Sequence, residues 1–233
     1  MKIILEHEVL RLFPKAGICG VVVNHIETLA VATVSEWKSK ALRSVVERNI
    51  QLEQLTAEAE VSEWRETYRK FGVKPSENRS SVEQLLRRAV KGSLPEAPVP
   101  FVNLYCYIST IARVPMGAYD MAKLRGDVRI RLSREGEEFS GLGGQTIKSP
   151  PRVVVYSDDM GIICWAWNYR DSSRTCIDPE SGTVLVFADS AKRESRSRAK
   201  NAIALLSQSL ESSGCSISTP FVLDGANPEI NLT

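Results

Sequence analysis

The chain reads VYSDDMGIICWAWNYRDSSRTC over residues 155–176, and this stretch decides the architecture of its second half. Residues 153–155 are three consecutive valines, which predict a strand buried on both faces because β-branched side chains favour extended backbone. Residues 157–161 contain serine, aspartate and glycine, the residue types that form tight turns. Residues 162–167 are mostly apolar again and predict a return strand. The stretch therefore predicts a β-hairpin.

The residues that leave this hairpin are aromatic, polar and cationic at once. Two rings, an amide, two guanidinium groups and a hydroxyl suit a pocket for a small polar ligand that carries an anionic group. In the alternative interpretation, Trp165 and Trp167 are core rings, since large aromatic side chains dominate buried area, and the arginines are solvated. The candidate site residues of this segment are Trp167, Asn168, Tyr169, Arg170, Arg174 and Thr175.

The composition is that of an ordinary globular protein of 233 residues with a net charge of +2. Five scattered cysteines without a C-x-x-C pair argue against a disulfide framework or a zinc site, and indicate a reducing compartment. The two histidines, His7 and His25, are remote in sequence from the candidate segment, so we expect no Ser/His/Asp triad and no histidine-rich metal site there. No apolar run reaches the roughly 20 residues that cross a bilayer, and the N-terminus meets charge too early for a signal peptide. We therefore predict a cytoplasmic protein without a metal or cofactor.

The first half of the chain predicts two strands followed by helices. Residues 1–34 contain apolar runs on either side of Pro14 and Gly17, which predict an N-terminal strand pair. Residues 35–71 lack proline and glycine and show helical spacing, so they predict one long helix, or two joined near residues 49–52, packed on the core as an extension. A capping box at Ser80–Glu83 predicts the start of a further helix. Prolines between residues 95 and 100 predict a stiff linker before another helix, whose apolar stripe of Phe101, Leu104, Ile108 and Ile111 is expected to be buried.

The second half predicts mostly strands and one last helix. Besides the hairpin, strands are expected at 127–132, 183–187 and 217–223, and Asp189 or Ser190 is expected to cap the last helix. The last ten residues show no periodicity and are expected to be frayed. The fold class is therefore α+β, a central, mostly antiparallel β-sheet structure with packed helices, in a single domain over residues 1–233.

Several short motifs occur in an order and spacing that resemble a known family. They are Met116–Asp120 after Pro115, Leu124–Gly126, Arg129, Gly136-Glu137, Gly141, Asp158-Asp159, Trp167–Arg170 and Arg174-Thr175. Together they resemble the B3/B4 domain, which sits in the β subunit of phenylalanyl-tRNA synthetase and also exists as a small free-standing protein. The chain is similar to the free-standing form over roughly residues 70–210, and this resemblance implies a B3/B4-type fold.

The resemblance also implies a reaction and a partner. In the synthetase, this domain is an editing site that hydrolyses the ester between a wrongly attached amino acid, notably tyrosine, and the 3′ end of tRNA. Such editing supplies discrimination that binding differences of one small group cannot. A free-standing version is expected to be a deacylase that clears mischarged tRNA in trans, with the aminoacylated 3′ end of tRNA as its partner.

The chain departs from the synthetase motif at two positions. A histidine in the synthetase cleft corresponds to Gly117, and a glutamate on a later strand corresponds to Phe187. The chemistry must then come from the candidate segment, in which arginines hold the carbonyl or a phosphate and an amide or hydroxyl orients a water. The expected catalytic residues are Arg174, Thr175 and Asn168. The expected substrate-binding residues are Trp167, Tyr169, Arg170, Asn103, Gly117 and Tyr119.

Two groups of basic residues are candidates for contacts with the tRNA backbone. Phosphate contacts require a local basic face, because the net charge of the chain is small. The alternative is an ordinary solvated charged face. The residues expected to contact the tRNA backbone are Arg69, Lys70, Arg87, Arg88, Lys192 and Arg193.

Two other functions stay open at the level of the sequence. One is a non-catalytic module that binds tRNA or an amino acid in the same cleft. The other is a hydrolase of another small aminoacyl ester or amide, without RNA. The missing histidine and glutamate favour these alternatives, whereas the intact candidate segment favours a working pocket. The sequence identifies neither the amino acid, nor the tRNA, nor the oligomeric state.

Overall fold

A computed structural model describes residues 1–232, which form six helices and thirteen strands. The helices are α1 (His7–Leu12), α2 (Val31–Glu47), α3 (Ala59–Lys70), α4 (Ser81–Val90), α5 (Pro100–Ala112) and α6 (Arg193–Leu210). The strands of the first half and the centre are β1 (Lys2–Leu5), β2 (Gly17–Asn24), β3 (Met116–Asp120), β4 (Val128–Leu132), β5 (Glu137–Ser140) and β6 (Thr146–Ser149). The remaining strands are β7 (Val154–Asp158), β8 (Gly161–Trp165), β9 (Arg170–Asp171), β10 (Thr183–Ser190), β11 (Ser216–Ile217), β12 (Phe221–Leu223) and β13 (Glu229–Asn231). No helix in these residues is both long and apolar enough to cross a bilayer.

The strands form two large sheets and one small hairpin. The first sheet has the order β13-β1-β4-β7-β8-β9, and among its described pairs only β1 and β4 run parallel. The second sheet has the order β11-β2-β10-β3, with β12 also paired to β2, and its described pairs are antiparallel. β5 and β6 pair separately. The predicted α+β fold with mostly antiparallel sheets is confirmed.

The two large sheets pack against each other through aromatic side chains. Tyr156 of β7 lies 5.2 Å from Phe187 of β10 and 6.0 Å from Tyr119 of β3, measured between ring centroids. All three rings are fully buried, and burying a ring of this size contributes about 1.5–3 kcal/mol relative to leaving it exposed. The candidate site described below lies at this junction.

The helices cover the second sheet and each other. α6 packs on β2 and β10, and α5 packs against both α2 and α6. The apolar stripe of α5 is buried as its spacing predicts, with Phe101, Leu104 and Ile108 at its centre. Residues 35–71 form two helices rather than one, because Asn49 adopts a left-handed conformation (φ 50°) that ends α2.

The structure corrects three predictions about the elements. The two N-terminal strands exist but do not pair with each other: β1 joins the first sheet, β2 joins the second, and α1 lies between them. β10 continues to Ser190, so neither Asp189 nor Ser190 caps α6; the N-cap is Lys192. The described C-terminal residues are not frayed throughout, because Glu229–Asn231 pair with β1; Thr233, which the prediction includes, lies outside the described residues.

Candidate active site

A sharp turn after β8 sets the geometry of the candidate site. Ala166 and Trp167 both adopt left-handed backbone conformations, with φ of 54° and 64°, which are costly for residues other than glycine. The Trp167 N–H donates to the carbonyl of Val154 at 2.6 Å and holds the turn against β7. The chain then returns as β9 beside β8. Strained backbone of this kind persists only where the surrounding structure fixes it.

This turn forms one wall of a small cavity between the two sheets. The turn contributes Trp167 to Asp171, β3 contributes Gly117 and Tyr119, and β10 contributes Phe187 and Asp189. The N-terminus of α4 adds Ser81. The cavity measures about 40 Å³, which is large enough for a water molecule.

Asp189 is the first of two carboxyl groups in this cavity. Its Oδ1 accepts a hydrogen bond from the Tyr156 hydroxyl, and its Oδ2 accepts one from Asn168 Nδ2 at 3.2 Å. Burial raises the pKa of Asp189 to about 7, although hydrogen bonding by Tyr156, Asn168 and Trp167 opposes that rise. The negative charge of Asp171 raises the pKa further. Asp189 therefore changes its charge near neutral pH.

A buried hydrogen-bond chain fixes the orientation of Asn168. The Tyr68 hydroxyl of α3 donates to Asn168 Oδ1 at 2.9 Å, so the amide nitrogen must point towards Asp189. Burial raises the pKa of Tyr68 well above its ordinary value, so its hydroxyl keeps the proton that it donates. α3 is thus connected to the cavity by a chain of hydrogen bonds that runs from Tyr68 through Asn168 to the carboxylate of Asp189.

Asp171 is the second carboxyl group. The residue is half-buried, and burial of its carboxyl group raises its pKa to about 6. Hydrogen bonding by Cys164 and Tyr119 lowers the pKa in part. A side chain at Gly117 would place its Cβ 4.0 Å from Asp171 Oδ1, so the glycine leaves open space in front of this carboxylate.

Two polar groups that line the cavity are buried without a partner among residues 1–232. They are the Ser81 hydroxyl and the Trp167 indole N–H. The indole N–H does stabilise the charged form of Asp189, but not with normal hydrogen-bond geometry. Buried polar groups are normally satisfied, so the pair indicates a cavity built for a polar ligand or water.

Six of the nine predicted catalytic and substrate-binding residues line this cavity. Trp167 has a second role in the core, because its ring packs edge-on against Phe13 and Trp64 at centroid distances of 5.2 and 5.3 Å. Arg170 lies at the rim, where its Nη1 donates to Gln145 at 2.6 Å. The six residues are Gly117, Tyr119, Trp167, Asn168, Tyr169 and Arg170.

The other three predicted residues lie outside this cavity. Arg174 forms a two-pronged ion pair with Asp158, at 2.6 and 2.9 Å, beside the β7–β8 turn. Thr175 is fully buried and does not line the cavity. Asn103 bonds both polar atoms to the backbone of Ala97, at 2.7 and 2.9 Å. Arg174 and Thr175 are close in sequence to the residues that line the cavity. They do not line it themselves, because the turn after β9 carries them to the far end of the first sheet.

Sequence reasoning missed both carboxyl groups of the cavity. Asp189 was expected to cap a helix, and Phe187 was taken as the position of a lost carboxylate. In a strand, residues i and i+2 share a face, and Phe187 and Asp189 both line the cavity. The sequence therefore did contain a signal for Asp189, because this carboxylate follows Phe187 by two residues and lies on the same face of the strand. No sequence pattern distinguishes Asp171 as a site residue.

The sequence of this chain matches the model of a known protein family. The family model described as "B3/4 domain" matches residues 63–213, which is more than half of the chain. The chain belongs to the B3/4 domain family. This confirms the family that the motifs of the sequence predict.

Proteins similar to this B3/4 domain chain include β subunits of phenylalanine–tRNA ligase. A phenylalanine–tRNA ligase β subunit of Bartonella quintana is 31% identical over 104 residues, which cover 45% of this chain and 13% of that protein. The same subunit of Paramagnetospirillum magneticum is 37% identical over 95 residues, which cover 41% and 11%. The chain thus spans about an eighth of the length of these relatives. An N-terminal fragment of the phenylalanyl-tRNA synthetase β subunit from Pyrococcus horikoshii is similar in structure, with 11% identity, a TM-score of 0.47, and coverage of 92% of this chain and 49% of the other.

A cysteine thiol and the possible metal ligands of this B3/4 domain protein also bear on its chemistry. Cys164 lines the cavity, but burial raises the pKa of its thiol well above the ordinary value, so it is not a thiolate nucleophile. No group of three or more His, Cys, Asp or Glu side chains within residues 1–232 is arranged to hold a metal ion. The ionisable groups available for chemistry in the cavity are Asp171 and Asp189.

The predicted tRNA-contacting residues lie on three helices. On α3, Arg69 and Lys70 are exposed, and Lys70 lies 5.9 Å from the ring centroid of Phe13. On α4, Arg88 is exposed, whereas Arg87 pairs with Glu83 at 3.1 Å. At the start of α6, Arg193 is exposed and Lys192 pairs with Glu66 of α3 at 2.9 Å.

Proposed function

We propose that this B3/4 domain protein is an aminoacyl-tRNA deacylase, which hydrolyses the ester bond of a mischarged tRNA in trans in the cytoplasm. Family membership and the similarity to phenylalanine–tRNA ligase β subunits support a tRNA-related role. The observation that carries the proposal is the pair of enclosed carboxyl groups, Asp171 and Asp189, with pKa values raised to about 6 and about 7 in one cavity. Perturbed acids that share a cavity are a physical signature of acid–base sites.

Asp171 is the proposed general base. A carboxylate with a pKa of about 6 is ionised at neutral pH and still accepts a proton readily, which suits a base that activates water. The water oxygen attacks the ester carbonyl carbon as Asp171 takes one of its protons. The carbon–oxygen bond to the ribose then breaks, and the same proton passes to the leaving ribose oxygen. The free amino acid and the uncharged tRNA are the products.

Asp189 acts on this reaction through its neighbours. Its hydrogen bonds fix Tyr156 and Asn168 at the back of the cavity. Two carboxyl groups so close together separate in pKa, so the ionised form of Asp171 favours the protonated form of Asp189. Asp189 is therefore a positioning residue that also keeps the cavity from holding two negative charges.

The unpartnered donors of the cavity suit the charge that develops on the ester oxygen. The Ser81 hydroxyl and the Trp167 N–H are already enclosed, so they need no reorganisation when the tetrahedral intermediate forms. α4 begins at Ser81, and the positive end of its helix dipole adds to the same stabilisation. The ester is an activated acyl group, so the proposed mechanism requires no covalent nucleophile.

A deacylation screen over all aminoacyl-tRNAs tests this function. The expected result is accelerated hydrolysis of a small set of mischarged tRNAs by the wild-type protein. Binding of tRNA without hydrolysis would favour the non-catalytic module, and hydrolysis of free aminoacyl esters without RNA would favour the other hydrolase. Either result would reject the proposal.

A further inference from the structure

Three arginines converge on one buried carboxylate beside the candidate active site. Glu83 of α4 is 0% exposed. Arg65 Nη1 lies 3.0 and 3.1 Å from its two carboxylate oxygens, and Arg87 Nε lies 3.1 Å from Oε1. Arg79 Nε lies 3.6 Å from the same oxygen. One guanidinium would suffice to compensate a buried carboxylate, so the cluster carries an excess of two positive charges.

Arg79 is the least committed member of this cluster. Its Nε is buried and makes no hydrogen bond to any residue of the described chain, and its side chain is 43% exposed. The guanidinium fork therefore keeps most of its donors free for a planar or tetrahedral anion. Because Glu83 holds Arg79 close to two like charges, a bound anion would also relieve the repulsion within the cluster.

A groove of about 350 Å³ shares one arginine with this cluster, and Arg79 lies outside the lining of the groove. Arg65 belongs to both the cluster and the groove, which is also lined by Arg69, Lys74 and Pro75. Arg69 forms no ion pair in the part of the chain that the structure describes. Two acids pair with residues of the groove: Glu83 is buried against Arg65, and Glu77 lies on the surface, 3.3 Å from Lys74. The groove is therefore basic, concave and open to a phosphate-sized group.

We propose that this groove and Arg79, which are linked through Arg65 and Glu83, together bind phosphates of the nucleic-acid backbone next to the 3′ end, an inference that rests on the proposed tRNA substrate. Arg79 is two residues before Ser81, which lines the cavity and whose backbone N–H donates to Asn168 O at 3.0 Å. The segment that carries the free guanidinium thus ends at the candidate active site. A single strand held by its phosphates in the groove can deliver its 3′ end to the cavity.

Binding of uncharged tRNA, measured by fluorescence anisotropy over a range of salt, tests this inference separately from hydrolysis. Arg79→Gln is expected to weaken binding roughly fivefold and to lower the slope of log Kd against log salt by about 1. Glu83 keeps two partners in this variant, so the fold is retained. Arg79→Lys is expected to keep the slope, and Arg134→Gln, an exposed arginine on the β4–β5 turn, is expected to bind like wild type.

The results of these binding and hydrolysis experiments distinguish phosphate binding by the groove from deacylase activity. If Arg79→Gln weakens tRNA binding while no aminoacyl-tRNA is hydrolysed, the groove stands and the proposed function falls. If Arg79→Gln and an Arg69→Gln/Lys74→Gln double variant both bind tRNA like wild type, the groove is overturned. Inorganic phosphate, measured by calorimetry, is the second arm. Loss of phosphate binding in Arg79→Gln with unchanged tRNA binding would assign the groove to a small free anion, which also overturns it.

Discussion

At the scale of single residues, Asp171 carries the most specific prediction. Asp171→Asn removes the proposed base while it keeps the size of the side chain, and general base catalysis contributes about 10²–10⁴-fold. We expect deacylation of the preferred mischarged tRNA to fall at least about 100-fold, with little change in the melting temperature. The measurement is the single-turnover rate, corrected for the uncatalysed hydrolysis of the ester.

The pH profile and a control variant sharpen this test. Because the pKa of Asp171 is raised to about 6, the wild-type rate should rise with pH and level off above about pH 6, and Asp171→Asn should lose this step. Asp159→Asn changes an exposed carboxylate outside the cavity and should match wild type. An Asp171→Asn enzyme with a wild-type rate and profile would remove Asp171 from the mechanism.

Substitutions at Gly117 test the role of the open space in the cavity rather than the role of its charged groups. A Cβ at this position would lie 3.7 Å from Tyr119 Oη and 4.0 Å from Asp171 Oδ1, which are ordinary contact distances. Gly117→Ala should therefore fold and keep part of its activity. Gly117→Val, which β3 accommodates because β-branched residues favour strands, should fill the cavity and abolish deacylation without unfolding the protein. Full activity of Gly117→Val, beside a normal far-UV spectrum, would show that the reaction takes place elsewhere.

The residues of the site show what a sequence reveals and what it hides. Trp167, Asn168 and Gly117 were predictable, because unusual residue types cluster there or replace a known motif. Asp189 was missed although it follows Phe187 by two residues on one strand face, because an acid before a helix ordinarily indicates a cap and the full length of β10 is not evident from the sequence. Arg174 lies outside the cavity, since a residue three positions from the site in sequence can point to the opposite end of a strand pair.

At the scale of elements, the Arg174–Asp158 ion pair is expected to stabilise the β7–β8 hairpin rather than to catalyse. Asp158 is fully buried in its side chain, and it also accepts from the backbone N–H groups of Arg125 and Met160. Removing one partner of a buried ion pair leaves an uncompensated charge. Arg174→Ala should therefore lower the free energy of unfolding by about 2–3 kcal/mol, with an unchanged deacylation rate per folded molecule.

Urea titration followed by activity at equal folded concentration tests the role of this ion pair. Arg129→Ala is a matched control, because Arg129 also lies in the first sheet but forms only long ion pairs, at 3.5 and 3.8 Å, and should cost less than about 1 kcal/mol. Loss of activity in Arg174→Ala without loss of stability would restore the catalytic role that the sequence predicts.

The elements themselves were largely predictable, but their partners were not. The hairpin, the capped start of α4 and the buried stripe of α5 follow from local patterns. The short strand β13 does not, and the strand predicted at 217–223 divides into β11 and β12, because strands of two or three residues hold too little periodicity and their pairing depends on distant contacts. Gly20 illustrates this: a Cβ there would lie 2.3 Å from Phe221, so the glycine of β2 is explained only by a ring 201 positions later.

At the scale of the whole molecule, the predicted single domain makes a thermodynamic prediction. One hydrophobic core cluster includes residues of α2, both large sheets and α6. A single domain should unfold in one cooperative transition, so tryptophan fluorescence and far-UV circular dichroism should give the same midpoint in urea. Trp37 lies on α2 and the other three tryptophans lie nearer the cavity, so a separately unfolding helical extension would split the two curves.

The stability of the whole molecule should also depend on pH through the cavity. The pKa values of Asp171 and Asp189 are raised from the ordinary 3.8 to about 6 and about 7, so between these limits the folded protein binds more protons than the unfolded chain. The free energy of unfolding must then fall as pH rises from about 4 towards 7, with a slope of at most about 1.4 kcal/mol per pH unit for each group. The carboxylates whose pKa values are lowered, such as Glu137, act with the opposite sign and at lower pH.

The slope isolates the contribution of Asp189 from any fixed cost of a substitution. Asp189→Asn removes the titrating proton but keeps the shape, so its free energy of unfolding should fall less steeply than that of wild type between pH 5 and pH 7.5. The difference between the two slopes reports the proton held by Asp189, because a pH-independent loss of packing or hydrogen bonding shifts the curve without tilting it. Parallel curves over this range would mean that Asp189 titrates as it does in the unfolded chain, and the cavity would then lack the enclosed acid on which the proposed chemistry depends.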